Sequence, residues 1–419
     1  MIAASALLGG CAAKTVETTQ PFAFWPPYPD EPRIQYLCSF QSSANLEQKK
    51  SALDELVYGK EVQQVQQLAK PYGVDMIDGK IYVCDLRSGA VTVLDLRKQQ
   101  TLVIGKSGGM TLQTPTDIAI SPDGTKYVAD IGRAAIFVFD ANDRVVGTFE
   151  LPEWRPVGVA VYENELFVCD FTNQCVQVMD RQSGNVIRKI GSPGTESGQF
   201  VRPLGISIDD HGYLYVADVL NCRLQKFERN GKVVNAFGMI SANVGGMVRP
   251  KHIDVDREGT IYVVDAAFQN VQLFDQLGRV YTFFGSAGSH PGAMYLPAGI
   301  TVHDGDLDLF QKYVHPAFEA KRLVLVTNQF GDNKVAVYAL GQLKPGMTIK
   351  DIESSKDVVR LGTTEDPNKN QIGPSTLPSD APDDAPTTAP APTTRPAAGR
   401  LRASADKTGS VPSSIAANR

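Results

Sequence analysis

GYLYVADVLNCRLQKF (212–227) strings together an apolar run, an acid, a short polar loop and a second apolar run. The first half of the phrase recurs as IYVCD (81–85), KYVAD (126–130), LFVCD (166–170), LYVAD (214–218), IYVVD (261–265) and, degenerate, VLVTN (324–328). Ahead of each copy stands a proline: Pro71, Pro115, Pro156, Pro203, Pro250 and Pro297, spaced 44, 41, 47, 47 and 47 residues apart. A fixed period of this length marks a repeat architecture. Six copies fit and a seventh does not.

Each unit reads as four strands. Strand a follows the proline (GISI, 205–208), a DDHG turn leads to strand b (YLYVA, 213–217), a polar loop to strand c (RLQKF, 223–227), and an ERNG turn to strand d (VVNAFG, 233–238). Valine, isoleucine, tyrosine and phenylalanine fill the runs, and Asp-Gly or Asn-Gly marks several turns. Turns this short allow only antiparallel pairing. An isolated sheet of this kind would leave both faces wet, whereas sheets packed face to face around an axis bury one another. The expected fold is all-β, a six-bladed β-propeller; a solenoid is the competing repeat architecture. RIQYLCSF (33–40) aligns with the strand-d phrases KVVNAFGM (232–239) and RVYTFFGS (279–286), and no clear strand d follows KVAVYAL (334–340). Residues 33–40 are therefore expected to close blade six.

The unit, Pro-x-Gly-apolar, then Leu-Tyr-Val-Ala-Asp, then Asn-x-Arg-apolar-Gln, resembles the NHL-repeat family over residues 33–340. The stretch FWPPYPDEPRIQYL (24–37) resembles the entry segment of bacterial envelope proteins that carry such propellers. WD-repeat and kelch signatures are absent. The resemblance implies an NHL-like propeller over 33–344, with a helical insertion at 43–69 and a blade-six insertion at 304–321.

The ends bound the rest. Leu8, Gly9, Gly10 and Cys11 match a bacterial lipobox, so residues 1–11 read as a lipoprotein signal remnant lipidated at Cys11, although no Lys or Arg precedes the cysteine. Residues 12–32 then read as a proline-rich tether. Ala12, rather than Asp, directs the protein to the outer membrane, facing the periplasm or the cell surface. No segment is apolar and long enough to span a bilayer, so the lipid is the membrane contact. Residues 345–419, rich in Pro, Ala, Thr and Asp, read as a disordered tail. A net charge of −5 offers no bulk attraction for nucleic acid. Of six cysteines, Cys84 and Cys169 share one strand-b position and read as small buried residues, as does Cys38 in the closing strand; Cys175 and Cys222, in adjacent b–c loops, are a candidate disulfide.

Strand order places the d–a and b–c loops on one face. The acids ending strand b (Asp85, Asp130, Asp170, Asp218, Asp265, with Asn328 in blade six) gather there with four bases preceding the prolines: Lys70, Arg155, Arg202 and Arg249. The bases either bind an anionic ligand at the channel mouth or pair with the acids; loss of both at Leu296 and Asn328 favours pairing, and Thr114 with Asp130 breaks the rule. Two residues after the proline, Gly73, Gly158, Gly205 and Gly299 give way to Asp117 and His252 in opposite blades. These two, with Tyr72 and Lys251, are candidate ligand-binding groups at the mouth or simple channel filling. The 43–69 insertion carries Leu46, Leu53, Leu56, Val57, Val62, Val65 and Leu68 at helical spacing over that face; the other insertion carries Leu309, Phe310, Tyr313, Val314 and Phe318.

No catalytic residue and no cofactor is assigned. The expected function is a lipid-anchored envelope binding or scaffold module, with a protein or peptide as first partner and an envelope glycan as second. The alternative is a metal-dependent lyase or lactonase-like hydrolase working in the channel, with calcium or zinc on Asp117 and His252. Related propeller lyases hold zinc with three histidines, and the five histidines here do not recur at equivalent blade positions.

Overall fold

The computed structural model describes residues 21–46, 65–106, 111–241, 243, 245–355, 357–359 and 361. It is a six-bladed β-propeller. Five blades are four-stranded antiparallel sheets and the sixth has five strands. Every innermost strand begins at its proline: Pro71–Ile77, Pro115–Ile120, Pro156–Tyr162, Pro203–Ile208, Pro250–Val255 and Pro297–His303. Proline donates no hydrogen bond and suits the first residue of a strand. Directly after it the register slips in all six blades, for example between Pro203 and Ile206. The slipped residues reach the next blade. A Cβ at Gly158 would lie 2.0 Å from the carbonyl oxygen of Leu204, and one at Gly299 2.1 Å from that of Tyr72. Glycine is required there by close approach of neighbouring backbone.

Blade six closes the ring from both ends of the chain. Its strands are Pro297–His303, Phe318–Asn328, Val335–Leu343 and Ile34–Phe40. The pairing of Ile34–Phe40 with Val335–Leu343 runs antiparallel from Ile34 opposite Leu340 to Phe40 opposite Val335. The fifth strand, Ala23–Trp25, lies outside Ile34–Tyr36. Between adjacent blades, the b and c strands bury side chains such as Val83, Leu94, Leu323 and Val337 at the seam of blades six and one.

Two expectations on chain organisation change. The tether of 12–32 is not free at its C-terminal end, because Phe24 and Trp25 are buried against blade six. The stretch expected to be disordered from 345 is structured at its start: Ile349–Glu353 is a helix with Ile352 buried, and Val358 bridges to Phe22. Both segments carry the few large apolar residues of otherwise proline-rich or polar stretches, and those residues supply the contact. The blade-six insertion packs on the ring itself. Leu307–Tyr313 is a 3-10 helix, and Phe310, Val314 and Phe318 are buried in the ring's own core. Of the 43–69 insertion, Ser43–Asn45 is a short 3-10 turn and residues 47–64 lie outside the described residues. Residues 1–20, with Cys11, and 362–419 lie outside them too.

Candidate functional site

The acids that end strand b are fully buried. Their partners include backbone amides of the loop that leads into the same blade's proline. Asp85 accepts from Ala69 (2.6 Å) and Lys70 (3.1 Å), Asp130 from Gln113 and Thr114, Asp218 from Val201 and Arg202, and Asp265 from Val248 and Arg249. Asp170 accepts from Arg155, and Asn328 holds the Tyr295 amide at 3.0 Å. This corrects the expectation of base–acid pairs. Among the described residues no ion pair joins Arg155, Arg202 or Arg249 to these acids; Arg202 lies instead over the Phe171 ring, 4.9 Å from its centroid. The carboxylate suits the task because it accepts several amides at once. Asparagine in blade six keeps one accepting oxygen, which lets it replace the acid there.

On the axis, Asp117 and His252 meet across the ring, with His252 Nε2 3.2 Å from Asp117 Oδ1. Both are buried. Burial alone would lower the His252 pKa, but the carboxylate of Asp117, helped by Asp254 and Asp75, outweighs it and raises the value. The other Asp117 oxygen accepts the Val159 amide of the next blade at 2.9 Å. Tyr72 and Lys251 are also buried, with the Lys251 ammonium 5.4 Å from the Tyr72 ring centroid. The candidates of the mouth therefore come together as two pairs, and neither Asp117 nor His252 is held out to solvent.

A second row, two residues further along each inner strand, carries groups that the sequence reading passed over: Asp75, Ala119, Ala160, Ser207, Asp254 and Thr301. Asp75 accepts the Ile120 amide of the next blade (2.9 Å), and Asp254 accepts that of Val302 (2.7 Å) and the Ser207 hydroxyl (2.8 Å). Burial, reinforced by Asp254, pushes Asp75 up to about 7; burial also raises Asp254. The signal was available: in a strand, alternate residues share a face, so this row projects as the Asp117–His252 row does. Among the described residues no group of three or more His, Cys, Asp or Glu is arranged to hold a metal ion. Cys38, Cys84, Cys169, Cys175 and Cys222 are buried free thiols, so the candidate Cys175–Cys222 bridge is absent.

On the loop face, a concavity of about 460 Å³ opens between blades five and six. Ser39, His290, Asp332 and Asn333 line it with the rings of Tyr295 and Phe330, which stand edge to face at 6.5 Å.

No family model matches the sequence. A protein of unknown function from Bacteroides thetaiotaomicron superposes with a TM-score of 0.52 at 14% identity, over 73% of this chain and 75% of that one. The calcium-binding protein regucalcin from Agrobacterium tumefaciens gives 0.46 at 16% identity over 66% and 92% of the two chains. A catalytically inactive virginiamycin B lyase from Staphylococcus aureus gives 0.46 at 14% over 67% and 97%. At these identities the likeness concerns the fold alone.

Proposed function

We propose that the chain is an NHL-like binding propeller, held at an envelope membrane by lipid on Cys11, that docks a protein or peptide on its d–a and b–c loop face. One observation carries this. Leu220, Met239, Ile240, Tyr295 and Phe330, all on loops of that face in blades four to six, are between 39% and 74% exposed. On the turns of the opposite face, the large apolar side chains exposed among the described residues are Tyr28, Leu277 and Met347, spread over blades five and six. Clustered apolar exposure signals a contact surface, and aromatic anchors beside a pocket supply much of the energy of such contacts. Arg202 and Arg249, on the loops leading into blades four and five, share this face and fit a partner with acidic side chains. The rival, a metal-dependent lyase or hydrolase, needs three convergent ligands, whereas Asp117 and His252 are committed to each other.

The test places a photo-crosslinker at Ile240 or at Leu277 in cells. Specific adducts from position 240, suppressed by Tyr295→Ala with Phe330→Ala, are expected; equal adducts from 277 would refute the face. Cys11→Ser should release the protein from membranes. Stoichiometric metal in the purified protein, lost in Asp117→Ala and His252→Ala, would favour the rival.

A further inference from the structure

The axial cavity, of about 140 Å³, is lined by the C-terminal halves of all six inner strands, with Asp75, Ser207, His252, Asp254 and Thr301 as its polar groups. Its charges do not balance. Asp117 and His252 compensate each other. Asp75 and Asp254 form no ion pair among the described residues; His252 acts on them only through space, and their contacts are amides and the hydroxyls of Thr301 and Ser207. A partly buried carboxylate that lines such a cavity without an ion-pair partner favours taking up a proton or recruiting a cation. A second, independent observation comes from the imidazole. His252, which is 7% exposed and lines this cavity, leaves Nδ1 without a hydrogen-bond partner. Its Nε2 faces a carboxylate and so donates, and protonation makes Nδ1–H a second donor in need of an oxygen.

We propose that this cavity binds a small primary ammonium compound bearing an adjacent oxygen, the ammonium between Asp75 and Asp254 and the oxygen accepting from His252 Nδ1. The size fits: the volume equals a few waters' share of liquid, at about 30 Å³ each. A bare metal fits less well, because metal–oxygen distances of about 2.0–2.6 Å demand donors that converge, and no such trio exists among the described residues. An ammonium donates over about 2.8 Å in several directions. Binding also releases a proton, because Asp75 ionises when the cation enters. The other titratable groups near the site are Asp117, His252 and Asp254 on the inner strands and the buried thiols Cys84 and Cys169 on the strands behind, whose pKa values burial raises. Lys251 and Tyr72 precede the Asp117–His252 row along the chain, away from the cavity lining.

The probes are ethanolamine, glycine, ethylammonium and ethylene glycol, titrated into the full-length protein by calorimetry at about pH 8 and about pH 5.5. Ethanolamine or glycine should bind one to one, and which of them does so identifies the oxygen as hydroxyl or carboxylate. Ethylammonium should bind more weakly and ethylene glycol not at all. Affinity should fall roughly tenfold or more at the lower pH, and Asp75→Asn or Asp254→Asn should abolish binding. Asp75→Asn keeps an acceptor for the Ile120 amide. If it fails to fold, the wild type decides alone: heats measured near pH 7 in two buffers of different ionisation enthalpy must report net proton release. Absence of saturable binding by both oxygen-bearing ammonium probes overturns the proposal. So does equal binding of ethylene glycol, affinity unchanged in Asp75→Asn, or displacement by micromolar calcium.

Discussion

Asp75 shows how one residue couples position to pH. Its carboxyl is partly buried, and desolvation pushes it up to about 7 from the usual 3.8. The folded state therefore holds a proton that the unfolded chain releases earlier. The resulting stability is complete below about 3.8 and is lost as pH rises through about 7, at a slope of at most about 1.4 kcal/mol per pH unit. Asp254 and His252 are shifted in the same direction and add the same sign. Asp75→Asn cannot ionise, so its stability should fall less steeply than the wild type's across this window. The two curves should separate by about 1–3 kcal/mol near pH 7.5, read from urea midpoints at several pH values. Parallel curves would show that water or a solvent ion already neutralises the site.

The recurring element is the strand b acid with the loop it holds. Asp218 Oδ1 accepts both Val201 and Arg202 amides, and Oδ2 accepts Asn221 Nδ2 at 2.6 Å. Asp218→Ala strands two amides, each costing about 1–3 kcal/mol if buried. A loss of about 2–5 kcal/mol in urea denaturation is the expected result. Asp218→Asn keeps the shared oxygen, as Asn328 does in blade six, and gives up the Asn221 bond. It should cost less than half as much; an equal cost would mean that the charge, rather than the amide bonds, holds the loop. At this scale much was legible in the sequence. Proline, the apolar run and the terminal acid are set by local rules, and all six units appear where the phrase recurs, with Asn328 in place of the acid in blade six. The partner of the acid was not legible, because a nearby Arg202 side chain and the Arg202 amide are indistinguishable in a one-dimensional pattern. Ala23–Trp25 was hidden for a related reason: prolines on either side read as a linker, and only the edge of blade six, formed from both ends of the chain, gives that strand something to pair with.

At the scale of the whole molecule, the sequence carried the blade count and the direction of the faces, because both follow from the period. The axial chemistry was only half visible: the Asp117–His252 row stood out against glycines, while Asp75 and Asp254 sat among Ala, Ser and Thr and looked ordinary until the ring placed them on one axis. Closure also decides how the molecule unfolds. In an open solenoid a terminal unit can fray without its neighbours. Here each blade has two neighbours, inner strands contact one another around the full circle, and blade six is knit from residues three hundred apart in sequence. A defect in any seam is therefore felt by the whole ring. Trp25→Ala, which empties a site against Tyr338 and Phe284, and Val128→Ala, buried between blades one and two, should each lower one shared thermal transition. Removal of residues 1–41 should do more, because it strips Ile34–Phe40 and leaves Val335–Leu343 as a bare edge, open to pairing with another chain. Calorimetry of that truncation should show a midpoint lower by roughly 10 °C or more and concentration-dependent association. An unchanged midpoint with a monomeric product would mean that the circle is not what holds the blades together.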